Sequence, residues 1–302
     1  MMAFSAKVLK DSLSQHGVRL STLEVTIPRL VLAEFNTHRV FSRNSASSRA
    51  IPVEKRISMV ESDPFIPESF GKNQKGMQAS EDLDDASARL AREDWMSACK
   101  DAVTHARALA QKGVHKQLAN RLIEPFCWQT IIVSSTEWDN WDALRMSPDA
   151  QPEIRKAAEM MFEARRTSVQ RIMSEGEWHL PLVDDFVELV NEGYSLEQIK
   201  LICVGRCARV SYLTHDGIRD PQADVDLAIR LKTSGHMSPF EHAATQMSND
   251  DAQSEIIWQL ESSSGFVDVD PSRVFCGNFR GWKQFRKEIP FEDNFKMQGK
   301  SL

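Results

Sequence analysis

Residues 36–50 read NTHRVFSRNSASSRA, with one histidine, three arginines, two asparagines and four serines in fifteen positions and no acid, proline or glycine. The guanidinium groups of Arg39, Arg43 and Arg49 have the planar fork that grips phosphate oxygens in pairs. Ser47 and Ser48, with their backbone amides, suit the rim of an anion nest. The plainer reading is a solvated surface loop. Against it, the apolar run TLEVTIPRLVLAEF (22–35) leads straight in and holds the stretch at a core edge.

A second dense stretch is GHMSPFEH, Gly235 to His242. Two histidines and a glutamate invite a metal, but His236 and His242 are separated by a proline turn, and a hydrogen-bonded histidine beside a turn is the commoner case. The five cysteines include no CxxC pair, and Cys203 and Cys207 share one face of a helix, as reduced, buried thiols do. No metal is expected. Arg121, just before Pro125, and Arg145, just after an aromatic cluster, each read alone as surface ion-pair partners.

The elements that must carry these residues follow from pattern. Residues 22–35 read as a strand entering a short buried element, and 51–80, with three prolines and two glycines, as loop. Residues 81–112 read as a long helix, acidic first and basic last, stopped by Gly113. Another helix spans 114–124 up to Pro125; WQTIIVSS is a strand. TEWDNWDALRM gives a turn or two of helix with Trp138, Trp141 and Leu144 on one side, and a helix opened by Pro152 runs to Gly176. Ser195 and Gln198 form a capping box for LEQIKLICVGRCARV. The loop THDGIRDPQ leads to the helix ADVDLAIRLKTSG, and HMSPFEHAATQM is a turn feeding a strand. The mixture has no βαβ rhythm, so the class is α+β. No dinucleotide fingerprint and no phosphate-loop lysine motif occurs.

With 302 residues, 41% hydrophobic and 26% charged, the chain has an ordinary globular make-up. A net charge of −6 opposes general nucleic-acid binding, which wants a dominant basic field, and favours a small anionic ligand at a local basic site. No apolar stretch suggests a signal peptide or a membrane span, so a soluble, cytoplasmic protein is expected.

Taken together, the stretches resemble one family. HRVFSRNSASSR is similar to the signature of the flavin-dependent thymidylate synthases (ThyX), Arg-His-Arg, seven residues, then Ser: His38 and Arg39 fit, and Ser47 closes it. Arg121-Leu122-Ile123-Glu124-Pro125 resembles the family's Arg-x-x-Leu-Pro. WDNWDALR followed by AQPEIR resembles the helix of its catalytic arginine, here Arg145. ARVSY (208–212) and GHMSPFEH resemble two further motifs. In most members these last two precede the signature, whereas here they follow it. The resemblance therefore implies a circularly permuted ThyX-like mixed sheet packed with helices. The catalytic domain would span 1–262, with a basic aromatic extension over 263–302.

The resemblance further implies transfer of a one-carbon unit from 5,10-methylenetetrahydrofolate to C5 of dUMP, with FAD as cofactor and NADPH as its reductant, in a homotetramer without nucleic-acid or membrane partners. Arg145 matches the catalytic cation that stabilises charge on the pyrimidine's N3–O2 edge; a guanidinium keeps its proton and acts electrostatically. His38, Arg39, Val40, Asn140, Ser211, His236, Ser238 and Glu241 match the flavin side. Glu34, Ser47, Ser48, Arg49, Arg121 and Arg145 match the nucleotide side. The family's first signature arginine is Thr37, a glutamine three residues earlier is Glu34, an acidic residue is Ser45, an Asn-x-Arg pair is Ser134 and Thr136, and a histidine is Asp149. Glu34 leaves room for a cytosine base, because a carboxylate accepts from an exocyclic amine. Hydroxymethylation of dCMP or dUMP is thus the alternative reaction. The readings from other classes are an inactive flavoprotein and a nucleic-acid-binding module. The tail GNFRGWKQFRK (277–287) is given no family counterpart; Arg280, Lys283 and Arg286 at three-residue spacing suggest one helical face. There Arg280 and Arg286 would replace the missing signature arginine around FAD or folate, with Trp282 or Phe279 stacked on a ring, or else form an amphipathic helix closing the fold.

Overall fold

The computed structural model describes residues 4–210, 219–260 and 269–294, with backbone alone for 258–260. Two long strands open it, β1 (Ser5–Leu13) and β2 (Arg19–Pro28), followed by the short helix α1 (Leu32–Phe35) and the strand β3 (Ser42–Ser45). Then come α2 (Val53–Ser62), α3 (Asp85–Gln111), α4 (Lys116–Ala119), β4 (Trp128–Ser135), α5 (Asp139–Arg145) and α6 (Pro152–Thr167). The second half holds β5 (Arg171–Ile172), β6 (Trp178–His179), α7 (Phe186–Asn191), α8 (Leu196–Val210), α9 (Pro221–Ser234), β7 (Ala244–Gln246) and α10 (Asn249–Leu260). It closes with β8 (Phe275–Cys276), β9 (Phe279–Arg280) and β10 (Trp282–Gln284).

The main sheet has the order β3-β4-β2-β1-β5, antiparallel except for the β1–β5 pair. A three-stranded sheet, β10-β7-β6, and the β8–β9 hairpin complete the α+β architecture. On one face of the main sheet, Leu23, Val25, Ile131 and Val133 pack against Ile154, Ala157, Ala158 and Met161 of α6. Those four recur at helical spacing, and burying Ile154 or Met161 contributes roughly 1.5–3 kcal/mol each. A separate core joins α8 and α9 to Phe240 and Phe285, and a third joins α2 and α3 to Ile123 and Phe126.

Local chemistry sets several ends. The Asp84 side chain accepts from the amides of Ala86 and Ser87 and starts α3. Ser195 and Gln198 exchange the two bonds of a capping box at the start of α8. Pro221 opens α9, and Gly235 closes it with φ at 78°.

Four expectations from the sequence are corrected. Residues 53–62, read as loop, are helical, with Pro52 just ahead of the first turn. The helix expected over 114–124 divides into α4 and a 3-10 turn, Asn120–Phe126, that contains Pro125 instead of ending before it. The helix from Pro152 stops at Thr167 because Ser168 is extended, with ψ at 142°. Leu144 is exposed, away from the buried Trp138 and Trp141. THDGIRDPQ lies mostly outside the described residues, and Ser211 lies wholly outside them. No helix among the described residues is long and apolar enough to cross a membrane.

Candidate active site

The stretch 36–50 leaves α1, forms edge strand β3, and turns toward α2; separate groups of residues gather along it. At its start sits Arg145. Helix α5 is pinned by buried Trp138 and Trp141 and by Asp142, which accepts from Arg165 of α6 at 2.5 Å. Arg165 also lies 4.2 Å over the Trp138 ring. Thus held, Arg145 directs Nε to His38 Nε2 (3.0 Å) and Nη2 to Thr37 Oγ1 (3.0 Å) and the Glu34 carbonyl (3.4 Å). The Thr37 hydroxyl in turn donates to that carbonyl at 2.6 Å.

His38 is buried edge-on against Trp141 at 4.7 Å and stacked on Phe41. Burial first, and then the charges of Arg145 and Arg43, bring its pKa down to about 4. The ring is therefore neutral, with its proton on Nδ1 and its Nε2 lone pair on Arg145. Arg145 makes no ion pair among the described residues, so its charge is aimed but not cancelled. Glu34 Oε2 is buried with no hydrogen-bond partner.

In the middle of the stretch, β3 meets the GHMSPFEH segment. Asn44 Nδ2 donates to the Cys207 carbonyl (2.9 Å), which leaves its Oδ1 to accept from His242 Nε2 (2.5 Å). That fixes the direction of a whole buried chain: Ser134 donates to His242 Nδ1, Thr22 to Ser134, His179 Nε2 to Thr22, and Ser12 to His179 Nδ1. All five of these side chains are fully buried. Burial pushes the pKa of His242 down to about 3 and that of His179 well below its usual value. His242 is thus a neutral hydrogen-bonded core histidine. No group of three or more metal-ligating side chains occurs among the described residues. Glu241 accepts from Arg286 of the tail at 2.5 Å, whereas His236 and Ser238 are exposed.

At the far end, Ser48 is buried and donates to Glu124 Oε1. Glu124 is also held by Arg121 Nη1 at 3.1 Å and Arg29 Nη2 at 2.9 Å. Burial alone would raise its pKa, but the Ser48 bond and the two arginines outweigh burial and lower it. Ser47, Arg49 and Arg39 are exposed.

The structure brings most of the expected residues to this wall and sets some apart. Arg43 is not a free phosphate clamp: it donates to Asn36 Oδ1 and to the carbonyls of Asn36, His38 and Phe41, and so staples the loop. Asn140, five residues before Arg145 on α5, falls about 140° around the helix from it, on the exposed side with Leu144.

The tail is not a helix. Gly281 has φ at 69°, and strands flank it. Trp282 and Phe279 are wholly buried, so neither stacks on a ligand ring. Trp282 Nε1 instead donates to the Val18 carbonyl (3.1 Å). Arg280 pairs with Glu137 (2.6 Å), Lys283 with Asp251 (2.9 Å), and Arg286 with Glu241 and Glu292.

The structure also shows what the sequence reading passed over. The Arg280 amide donates to Thr136 Oγ1 (3.0 Å), and Asn278 Nδ2 donates to Ser42 Oγ (3.2 Å). Ser42 is the cross-strand partner of Ser134. Asn278-Phe279-Arg280 thus has the Asn-x-Arg spacing that Ser134 and Thr136 lack, and lies against those very positions. That spacing was the available signal. Arg29, Asn44 and Gln284, which donates to Ser42 at 2.8 Å, had none.

An uncancelled arginine beside a cation-rich loop gives this α+β protein the charge to hold a small anion. Residues 18–169, half of the chain, match the family model of the thymidylate synthase complementing protein. The chain belongs to that family, and so is an enzyme acting on nucleotides, of the thymidylate synthase type. Among solved structures it is similar to the UMP/dUMP methylase PolB from Streptomyces cacaoi bound with 5-Br UMP, at 15% identity and a TM-score of 0.46, over 54% of this chain and 89% of that one. The same methylase bound with 5-Br dUMP gives 14% identity and a TM-score of 0.42 over the same shares. No curated protein sequence matches the chain.

Proposed function

We propose that the protein transfers a one-carbon unit from 5,10-methylenetetrahydrofolate to C5 of dUMP, giving dTMP. The observation that carries this reading is Arg145, held by His38, Thr37 and the Glu34 carbonyl without a neutralising carboxylate. A cation so fixed stabilises negative charge on the N3–O2 edge of a uracil, which makes C5 nucleophilic. Neutral His38 keeps the guanidinium in place and adds no charge of its own. Ser47, Ser48, Arg49 and Arg121 are assigned to the nucleotide's phosphate.

The residues present fit a flavin. Arg39 has no ion-pair partner among the described residues, and Val40, His236 and Ser238 are exposed, an apolar side chain and two polar ones open to a ligand. Glu241 and Asn140 belong to the same assignment, as does Ser211, whose surroundings lie outside the described residues. Arg286 reaches this wall through Glu241, and Arg280 with Asn278 through Thr136 and Ser42. Bound FAD, once reduced by NADPH, supplies the hydride. We read the chain order as permuted. The contact of early Asn44 with late His242, which closes the two motifs into one wall, supports this.

One observation favours a second substrate. Glu34 Oε2 is buried without a partner, and a cytosine amine would satisfy it. Water attack on the intermediate would then give a hydroxymethylated nucleotide. One experiment tests both readings. Protein, FAD, NADPH and methylenetetrahydrofolate are incubated with dUMP or dCMP, and products are weighed by mass spectrometry. dTMP is the expected product; hydroxymethylated dCMP or dUMP selects the second reading; no product from either nucleotide removes both.

A further inference from the structure

Two of the donors assigned above to a nucleotide phosphate, Ser48 and Arg121, already hold an anion of the protein's own together with Arg29. The Ser48 hydroxyl, Arg121 Nη1 and Arg29 Nη2 converge on the Glu124 carboxylate. Arg29 is anchored for this from behind, donating through Nη1 to Gln129 Oε1 and the Ala46 carbonyl. Its side chain is 9% exposed, while that of Glu124 is 23% exposed. The position matters because the motif this segment resembles, Arg-x-x-Leu-Pro, has an apolar residue where this chain has Glu124. A leucine would leave the donors open, whereas Glu124 fills them.

We propose that Glu124 is the internal occupant of the phosphate subsite, keeping its donors ordered and leaving only when a nucleotide's 5′-phosphate replaces it. The inference rests on the nucleotide reading above and deepens it. Two anions would compete for these donors, and like charges placed in one site repel. Glu124 has a way out: it sits in the 3-10 turn before Pro125, with its carboxylate at the solvent edge and three rotatable side-chain bonds. Displacing it is a fixed cost that a free phosphate must meet alone. A nucleotide meets it with its base and sugar contacts as well. Glu124 would thus select phosphate attached to the right nucleoside over phosphate itself.

The test uses the full chain with FAD present, as wild type, Glu124→Gln and Glu124→Leu. The glutamine variant keeps the side-chain shape should the leucine variant fail to fold over Arg29. Dissociation constants are measured by calorimetry for dUMP and dCMP, each against its deoxynucleoside, and inorganic phosphate is scored by its shift of the thermal midpoint. The expected result is that Glu124→Gln binds the nucleotide about ten-fold tighter or better. Deoxynucleoside affinity should not change, and phosphate should stabilise the variant but not the wild type. A purely structural ion pair would not move the nucleotide-to-nucleoside ratio. Nucleotide bound equally or more weakly by the folded variants overturns the proposal and leaves the nucleotide reading standing. Phosphate binding gained by the variants, with no nucleotide bound by any form, upholds the subsite and removes the nucleotide reading. Neither ligand bound by any form overturns both.

Discussion

The two ends of the stretch 36–50 treat positive charge in opposite ways. At the first, Arg145 meets an imidazole nitrogen, a hydroxyl and a carbonyl, all neutral. At the other, Arg29 and Arg121 meet the Glu124 carboxylate. The first arrangement aims a charge and keeps its field; the second holds donors in order and offsets one of their two charges. A cation meant to act on a developing anion must not be neutralised in advance. A subsite meant to open only for its ligand gains selectivity by being filled. The connecting strand β3, fixed through Asn44 and Ser42, keeps both ends in register.

The largest test of this contrast removes the uncancelled charge. Arg145→Ala is expected to lower kcat by about 10³-fold, the scale of losing a preorganised electrostatic contact. FAD binding, followed by flavin fluorescence, should stay within a few-fold of wild type. A variant that keeps turnover contradicts the role given to Arg145.

Acid should dismantle the first end through its histidine. His38 is held at about 4 in the folded protein, against an ordinary value near 6.5. Between those values the unfolded chain binds the proton that the folded one refuses, so stability is full above pH 6.5 and falls as pH drops toward 4. Protonation at Nε2 would also set His38⁺ against Arg145. His242, lowered to about 3, adds to the same slope. The thermal midpoint should therefore fall between pH 6.5 and 4, and His38→Asn, which can still accept from Arg145, should make the fall shallower. An unchanged slope in that variant would show that His38 does not carry it.

Much of this fold was legible, for reasons specific to each element. The strand 128–135 announced itself by β-branched residues, the start of α8 by Ser195 and Gln198, and the end of α9 by Gly235. Helix α2 was not, because prolines 52 and 64 punctuate it from outside instead of breaking it. The tail misled because its cations recur every three residues, yet it folds as the β8–β9 hairpin followed by β10, with Gly281 in the left-handed region between them and Phe279 and Trp282 buried. In the site, motif residues could be named, but their partners could not. That Arg43 is spent on carbonyls, that Glu124 fills the donors of Ser48 and Arg121, and that Asn278 and Arg280 return to Ser42 and Thr136 are all contacts across folded space. The last of these span 236 and 144 residues of chain.

The smallest effect sharpens the contrast most finely, at Thr37, where the resemblance has an arginine. An arginine there would stand beside Arg145 and crowd two cations together. The threonine hydroxyl instead takes a bond from Arg145 and gives one to the Glu34 carbonyl, which Arg145 also touches. Thr37→Val keeps the shape of the side chain and removes both bonds. Water can reach this exposed position and replace part of the loss, so the expected cost is only about 1 kcal/mol, or roughly a five-fold drop in kcat with KM nearly unchanged. The matching variant at the other end, Ser48→Ala, removes one donor from the phosphate subsite. It should act on nucleotide affinity and leave kcat at saturation near wild type. If both variants moved the same kinetic parameter, the two ends would not be doing different work.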